Sequence, residues 1–237
     1  CRSDFGASMR DKKLRVSTKL FIVIGGAAMV LNMYLIFMWV PTEKNLGIIQ
    51  RIFYLHVPTA WVAFLAFSLV LIGSVGYLIK KNRAWDRLAF ASAEVGVLFT
   101  TVLIITGAMW AKPVWGVWWN WDPRLTTSLI LWLIYLAYLM LRSYAPSPEQ
   151  GAKYAAILGI VGFLDVPIVY FSIKWWRTLH PQAVIGPGST GELDSSMRLL
   201  LLISTAIFTI LFVHLLTTRM SLRKLEERLE ETNHIVP

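Results

Sequence analysis

Two of the four histidines lie in short segments that also carry aromatic and basic side chains. His56 belongs to the run R-I-F-Y-L-H-V-P (Arg51 to Pro58), and His180 belongs to the run K-W-W-R-T-L-H-P (Lys174 to Pro181). Imidazole is the usual protein ligand of haem iron, and two imidazoles from separate segments could bind the iron from opposite faces. A single loop histidine is more often an ordinary polar residue. The pair therefore predicts a haem site only if another feature points the same way.

A tryptophan cluster lies between the two histidine segments. Its members are Trp110, Trp115, Trp118, Trp119 and Trp121. One interpretation is an aromatic belt at a membrane interface, where each indole keeps its apolar body in lipid and its N–H in water. A belt normally needs fewer tryptophans than this, so the density favours a flat apolar ligand such as a porphyrin. A helical conformation would place residues 115, 118 and 119 on one face with Asp122.

Two arginines flank these features. Arg51 begins the first histidine segment, and Arg124 follows the tryptophan cluster. Haem carries two propionates, and a guanidinium group can bind a carboxylate through two parallel hydrogen bonds, each worth about 1.5 to 3 kcal/mol. The alternative is that both side chains extend along the membrane surface to reach water. Neutral imidazole, with an ordinary pKa of about 6.5, is the form that binds iron, so acid is expected to weaken any haem complex.

The elements that must position these residues are membrane helices. Hydrophobic residues make up 56% of the chain and charged residues only 16%, which leaves too much apolar surface for a water-soluble domain of 237 residues. A membrane-spanning helix needs about 20 mostly apolar residues, and lipid satisfies no open backbone groups. The sequence therefore predicts an all-α, polytopic membrane protein with six transmembrane helices. The expected spans are Leu20–Val40, Thr59–Ile79, Leu88–Ala111, Leu125–Leu141, Tyr154–Ile173 and Met197–Thr218. Pro58 and the pair Asp122-Pro123 mark two helix starts.

The distribution of Lys and Arg predicts the orientation of the helices. With the N-terminus in the cytoplasm, sixteen of the 23 basic residues fall on the inner side and seven on the outer side, as the positive-inside rule requires. Both termini are therefore expected in the cytoplasm. This bias, with attraction to anionic membrane lipid, explains the net charge of +9 without nucleic acid. The expected parts are a cytoplasmic tail (1–19), a membrane domain (20–218), a cytoplasmic amphipathic tail (219–237), two outer histidine loops (41–58 and 174–196) and an outer tryptophan loop (110–126).

The run W-G-V-W-W-N-W-D-P-R-L-T (Trp115 to Thr126) resembles the WWD signature of membrane proteins that handle haem for c-type cytochrome assembly. With its two histidine segments and six spans, the chain is similar to the haem exporter protein C family (CcmC) from Leu20 to Thr218. The resemblance implies that haem b is transient cargo at the periplasmic face of the bacterial inner membrane and is delivered to the haem chaperone CcmE. It also implies the ABC-type partners CcmA and CcmB, the small membrane protein CcmD, and no enzyme activity in this chain.

Carried over to this sequence, the resemblance implies that His56 and His180 are the axial ligands of haem iron. The other cargo-binding residues that it implies are Trp110, Trp115, Trp118, Trp119, Trp121 and Asp122. Arg51 and Arg124 are added from their positions beside these residues. Pro123 is a suspected departure from the signature, and it would stiffen the end of the loop without removing a ligand.

Three other functions remain open at this point. A b-type membrane cytochrome would exchange electrons with quinone, but such proteins usually carry their haem histidines inside helices. A larger WWD-type cytochrome c synthetase would need more histidines and more mass outside the membrane. A transporter that moves haem across the bilayer would need a polar pathway, and the sequence has no G-x-x-x-x-G-K-[ST] nucleotide-binding motif. Glu94 and Asp165 are expected to have structural roles within their spans, and His214 and His234 to be structural or solvated.

Overall fold

The computed structural model describes residues 23–182 and 193–233, and these residues are mostly helical. The helices are α1 (Val23–Trp39), α2 (Phe53–Lys80), α3 (Arg83–Trp115), α4 (Pro123–Tyr144), α5 (Pro148–Phe163), α6 (Asp165–Trp175) and α7 (Ser195–Asn233). The last turn of α1, Leu35–Trp39, is π-helical, and a 3₁₀ turn at Ile48–Ile52 leads directly into α2. The predicted N-terminal tail, 1–19, and His234 lie outside the described residues.

Six apolar helical segments in the described residues agree with the predicted membrane fold. Five are long and apolar enough to cross a bilayer, and α1 is the shorter sixth. One of the five, Pro148–Trp175, consists of α5 and α6 and is interrupted at Leu164. The prediction of an all-α, multi-pass membrane protein is therefore confirmed, while the orientation of the termini stays a prediction.

The second membrane helix begins earlier than its apolar run predicts. It starts at Phe53, so Pro58 lies inside α2 and does not mark its first turn. Proline lacks the N–H that would bond to the carbonyl of Tyr54, but the turns on either side keep their own hydrogen bonds. At 28 residues α2 is about 42 Å long, against about 30 Å for the hydrocarbon core of a bilayer. His56 therefore lies in the first turns of α2, before the predicted apolar span begins, and not in the predicted loop.

Local signals fix both ends of the tryptophan segment. Helix α3 ends where Gly116 takes a left-handed conformation (φ 78°), which glycine adopts without the steric cost of a side chain. Helix α4 begins at Pro123, after Asp122, whose Oδ1 atom accepts a hydrogen bond from the Arg124 N–H at 3.0 Å. The predicted N-cap and proline pair is therefore confirmed. Residues 116–122, between the two ends, are not helical.

The core of the bundle lies where α2 packs closely against α3. Small residues make this contact possible, because a Cβ on Gly73 would lie 2.8 Å from the backbone nitrogen of Ala89. A Cβ on Gly96 would lie 2.6 Å from the ring of Phe67. The Phe67 ring also stacks on Tyr135 of α4, with the ring centroids 3.8 Å apart. These contacts hold α2, α3 and α4 in fixed positions relative to one another.

Ion pairs tie the helices together away from the tryptophan segment. Arg142 of α4 binds both carboxylate oxygens of Asp86 on α3. Glu94 of α3 binds Arg219 of α7 through two hydrogen bonds of 2.5 and 3.0 Å, which agrees with the structural role expected for it. Asp165 differs, because its Oδ2 atom is buried and has no hydrogen-bond partner among the described residues.

Helix α7 continues without interruption from Ser195 to Asn233. Its 39 residues give it a length of about 58 Å. Beyond the apolar stretch it is attached to α3 by an ion pair of 2.8 Å between Arg87 and Glu227. Three leucines of this part stay exposed: Leu222, Leu225 and Leu229. Over its described part, the predicted tail 219–237 is therefore an extension of the sixth span.

Candidate functional site

A cavity of about 650 Å³ opens at the end of the bundle where α2 and α4 begin and α3 and α6 end. Its walls are mostly apolar, as is usual for a site that binds a small molecule or a cofactor. Polar groups in the walls include His56 of α2, Arg124 of α4 and His180, which follows α6. Leu202 and Thr205 of α7 form part of another wall. The two histidines predicted as ligands therefore meet at one cavity.

The ring of His56 is oriented by α3. Its Nδ1 atom lies 3.0 Å from the hydroxyl of Thr106, and that hydroxyl donates its single proton to a backbone carbonyl, with Val102 at 2.8 Å. Since the hydroxyl must then accept, Nδ1 of His56 carries the proton, and the lone pair of Nε2 is left for a ligand. Gly107 leaves room for the ring, because a Cβ there would lie 3.2 Å from Cε1 of His56.

The ring of His180 is oriented by its own loop. Its Nδ1 atom lies 2.9 Å from the carbonyl of Pro181. A carbonyl can only accept, so Nδ1 carries the proton here too, and the lone pair of Nε2 is again left for a ligand. The backbone N–H of His180 donates to the Thr178 hydroxyl at 3.0 Å. Both imidazoles thus have the tautomer that a metal-binding histidine with a second hydrogen-bond partner adopts.

The separation of the two imidazoles suits a metal ion between them. The ring centroids of His56 and His180 are 6.5 Å apart, and the ring planes are inclined at 34°. Metal–nitrogen bonds of about 2 Å on both sides, together with the size of the rings, put the centroids of two axial imidazoles roughly 6 Å apart. Among the described residues, no group of three or more His, Cys, Asp or Glu side chains could hold a metal ion. Two imidazoles alone suit an iron atom that a macrocycle already holds.

The predicted tryptophans divide into two sets. Trp110 and Trp115, at the end of α3, and Trp119 in the following loop line the cavity. Trp118 and Trp121 do not line it, and 59% and 74% of their surfaces are exposed. The left-handed turn at residue 116 ends the helix, so residues 115, 118 and 119 do not share the helical face that a continuous helix would have produced.

The two predicted arginines also differ in position. Arg124 lines the cavity, and its Nη1 atom is buried without a hydrogen-bond partner among the described residues. Arg51 does not line the cavity, and its Nη1 atom donates to the carbonyl of Phe37 at 2.7 Å. Arg124 therefore contributes to the cavity wall, whereas Arg51 attaches the start of α2 to the end of α1 and has its Nε atom buried without a hydrogen-bond partner among the described residues.

Asp122 is turned away from the cavity. Only 7% of its surface is exposed, and it does not belong to the cavity walls. Its carboxylate caps α4 through the Arg124 N–H and accepts further hydrogen bonds from Thr178 and Leu179. The structure thus brings all ten predicted residues to one end of the bundle. Six of them reach the cavity itself: His56, His180, Trp110, Trp115, Trp119 and Arg124.

Comparison with known proteins identifies the family. The family model described as "Heme exporter protein C" matches residues 6–235, which is nearly the whole chain. This chain belongs to the Heme exporter protein C family. The predicted resemblance is therefore confirmed.

Named relatives of the Heme exporter protein C family agree with this assignment. The protein of Bradyrhizobium diazoefficiens is 38% identical over 175 residues, 74% of this chain and 66% of that protein, just under two thirds of its length. The Haemophilus influenzae protein is 36% identical over 187 residues, 79% of this chain and 76% of its own. The Escherichia coli K12 protein is 34% identical over 177 residues, 72% of each chain. All three carry the name Heme exporter protein C.

The pKa of His180 is lowered from its ordinary value of about 6.5 to about 3. The main cause is burial, which removes water from around the charged form, and the second is the positive charge of Arg124. The imidazole of His56 acts in the same direction, whereas the carbonyl of Pro181 and the carboxylate of Asp122 raise the pKa by smaller amounts. The surroundings therefore favour the neutral imidazole, which is the form that can bind iron.

This shift changes the expected pH dependence. Sequence reasoning with an ordinary imidazole pKa of about 6.5 predicts that haem retention weakens near that pH. Because the folded pKa of His180 is below the unfolded one, its contribution to stability is fully present above about pH 6.5 and is lost as the pH falls toward about 3. Competition between protons and iron for this imidazole follows its folded pKa alone, so absorbance titration of the haem-loaded protein should show retention at pH 5 and loss as the pH approaches about 3. A midpoint between pH 6 and 6.5 would contradict this expectation.

Sequence reasoning missed the residues that orient the ligands. Thr106 of α3 bonds to the His56 ring and Gly107 leaves room for it, but the sequence around them predicts only an apolar membrane span. Thr178 had a local signal, since it precedes His180 by two residues and a hydroxyl at that spacing can accept the histidine N–H. The contact between α2 and α3 that brings residues 56 and 106 together is tertiary, and no local pattern predicts it.

Proposed function

We propose that this chain binds haem in the cavity of about 650 Å³, with His56 and His180 as the axial ligands of the iron. We propose further that it delivers this haem to the chaperone CcmE during c-type cytochrome biogenesis. The observation that carries the proposal is the imidazole pair, 6.5 Å between ring centroids, with both Nδ1 atoms bonded to protein acceptors. Membership of the Heme exporter protein C family supports the same cargo.

The walls of the cavity suit the other parts of a haem molecule. Its volume of about 650 Å³ lies within the range of cofactor sites, roughly 300 to 1,000 Å³. Aromatic contact with Trp110, Trp115 and Trp119 would add about 0.5 to 1.5 kcal/mol per ring beyond the burial of apolar surface. The buried guanidinium of Arg124 offers a charge-assisted hydrogen bond to a propionate. Iron, macrocycle and acid groups therefore each have a matching group in the walls.

The same features favour transient cargo over a permanent cofactor. The sequence has a single cysteine, Cys1, and no C-x-x-C-H attachment motif, and we propose that the cargo is haem b held without covalent bonds. One ligand, His56, lies on the rigid helix α2, while His180 lies in a loop. Movement of the loop would remove one axial ligand and open the iron to a ligand from CcmE. Release then needs no rearrangement of the helix bundle.

A haem-transfer subunit explains the site better than the alternatives do. A quinone-linked b-type cytochrome would place ligands near both ends of the bundle, whereas His56 and His180 share one end. By the positive-inside rule this end faces the periplasm, across the bacterial inner membrane from the cytoplasmic termini. We assign no enzyme activity to this chain, and any ATP hydrolysis belongs to the ABC-type partners CcmA and CcmB, in an assembly that also contains CcmD.

The proposal is tested with the full chain purified in detergent. After addition of haem, the visible spectrum should show a six-coordinate, low-spin species, because two imidazoles produce a strong axial field. Addition of apo-CcmE should then transfer haem, which is followed by separating the two proteins and measuring haem in each. A chain that takes up no haem at any loading concentration would exclude the proposed function. Stable binding without transfer would exclude the delivery step alone.

The division of the tryptophans predicts unequal effects of the same substitution. Trp119→Leu removes an indole from the cavity wall and is expected to weaken haem binding roughly 2- to 10-fold, as the loss of one aromatic contact implies. Trp118→Leu is the matched control, because that ring is largely exposed and lies outside the cavity. Haem affinity and protein abundance should be measured for both variants. Equal losses of affinity would contradict the structural distinction, and equal losses of abundance would indicate a membrane-anchoring role.

A further inference from the structure

The carboxylate of Asp122 joins two segments that are far apart in the sequence. Its Oδ1 atom accepts the Arg124 N–H at 3.0 Å and caps α4. Its Oδ2 atom accepts two hydrogen bonds from the segment after α6, one from the Thr178 hydroxyl at 2.6 Å and one from the Leu179 N–H at 2.9 Å. Both oxygens are therefore occupied by protein donors, and the side chain is buried outside the cavity walls.

The hydrogen bonds continue from Asp122 to His180. Besides donating to Asp122, the Thr178 hydroxyl accepts the backbone N–H of His180 at 3.0 Å. Residues 176–182 are not helical, so helical hydrogen bonds do not set the position of this histidine. Hydrogen bonds to an ionised carboxylate are roughly twice as strong as those between neutral groups. Asp122 therefore attaches the loop of His180 to the start of α4, next to the cavity.

We propose that Asp122 is a positioning residue for His180. Its carboxylate holds residues 178–180 against the N-terminus of α4, so that the imidazole of His180 stays at the cavity across from His56. Asp122 acts through the loop and does not itself contact haem. This inference rests on the proposed haem-binding function, and it assigns the acidic residue of the tryptophan segment a role distinct from that of the indoles at the cavity wall.

Asparagine at this position separates the two tasks of Asp122. Asparagine is as good an N-cap as aspartate, so its Oδ1 atom can still accept the Arg124 N–H. Its Nδ2 group is a donor, and it cannot accept the Leu179 N–H that Oδ2 of Asp122 accepts. Asp122→Asn therefore keeps the cap of α4, removes the acceptor of the Leu179 N–H and leaves no charged acceptor for the Thr178 hydroxyl, which weakens the attachment of the loop. Thr178→Val removes the hydroxyl from the other side, and Thr178→Ser is the conservative variant that keeps it.

The experiment compares haem coordination in these full-length variants with that in His180→Ala. Asp122→Asn and Thr178→Val should each show the five-coordinate, high-spin spectrum of His180→Ala, with haem affinity lowered roughly 10- to 100-fold, as for other partners that orient metal ligands. Thr178→Ser should restore the six-coordinate spectrum. Because all these changes act through one ligand, Asp122→Asn should cause no further loss when combined with His180→Ala.

A wild-type, six-coordinate spectrum in Asp122→Asn would overturn the inference. So would additive losses in the double variant, since they would indicate a contribution of Asp122 independent of His180. If Asp122→Asn does not fold, the pair Thr178→Val and Thr178→Ser decides, and identical spectra for that pair would overturn the inference as well. Absence of haem from the wild-type chain would instead exclude the proposed function, and this inference with it.

Discussion

Replacing either His56 or His180 with alanine is expected to convert a six-coordinate, low-spin haem complex into a five-coordinate, high-spin one. Each side chain supplies one of the two imidazoles at the cavity, and no third His, Cys, Asp or Glu in the described residues forms a metal-binding group with them. Loss of a ligand should lower haem affinity by more than the roughly 10- to 100-fold that loss of a ligand-orienting partner causes. The double variant should take up no haem.

The measurement is the visible spectrum of each purified variant after loading, together with a haem titration. Exogenous imidazole should restore the six-coordinate spectrum of the single variants, because the vacated axial position faces a cavity. His214→Ala is the matched control, since His214 lies on α7 away from the cavity walls. If both single variants keep the wild-type spectrum, His56 and His180 are not the axial ligands.

Replacing Arg124 with glutamine is expected to have the second largest effect. The guanidinium lies in the cavity wall, and its Nη1 atom has no hydrogen-bond partner among the described residues. A charge-assisted hydrogen bond to a propionate contributes about 1.5 to 3 kcal/mol, so its loss should weaken haem binding roughly 10- to 150-fold. The axial ligands are unchanged, and the spectrum of the bound haem should stay six-coordinate.

Arg51→Gln is the matched control for this prediction. Sequence position suggested both arginines, but Arg51 donates to the Phe37 carbonyl outside the cavity, so its replacement should leave haem affinity nearly unchanged. A second test is titration with the dimethyl ester of haem, in which both propionates are esterified and carry no negative charge. The wild-type chain and Arg124→Gln should bind the ester equally well. If Arg124→Gln binds the ester as much more weakly than the wild-type chain as it binds haem, Arg124 acts on something other than a propionate.

The fold was predictable from the sequence because apolar length is a strong signal for membrane helices. The six spans follow from it, but the start of α2 does not. Hydropathy reports where lipid surrounds a helix, whereas backbone hydrogen bonding can continue into the interface. The 3₁₀ turn at Ile48–Ile52 leads directly into α2, which is why His56 was predicted in a loop and lies on a helix.

The site was predictable in its residue types but not in their orientations. Histidine, tryptophan and arginine in these segments suggested iron, a porphyrin plane and propionates, and this assignment stays a prediction. Whether Trp118 or Trp119 faces the cavity depends on the left-handed turn at Gly116, which redirects the chain by a single backbone conformation. The role of Asp122 depends on a loop more than 50 residues away, since its partners are Thr178 and Leu179. Such long-range contacts have no local sequence pattern.

The unbroken helix α7 has a mechanical consequence for the whole molecule. Leu202 and Thr205 stand in the cavity wall, and Arg219 is bound to Glu94 about 25 Å further along the same helix. A continuous helix resists sharp bending, because a sharp bend would strain the backbone hydrogen bonds of successive turns. The unbroken backbone of α7 therefore connects the cavity wall directly to the ion pair between Arg219 and Glu94.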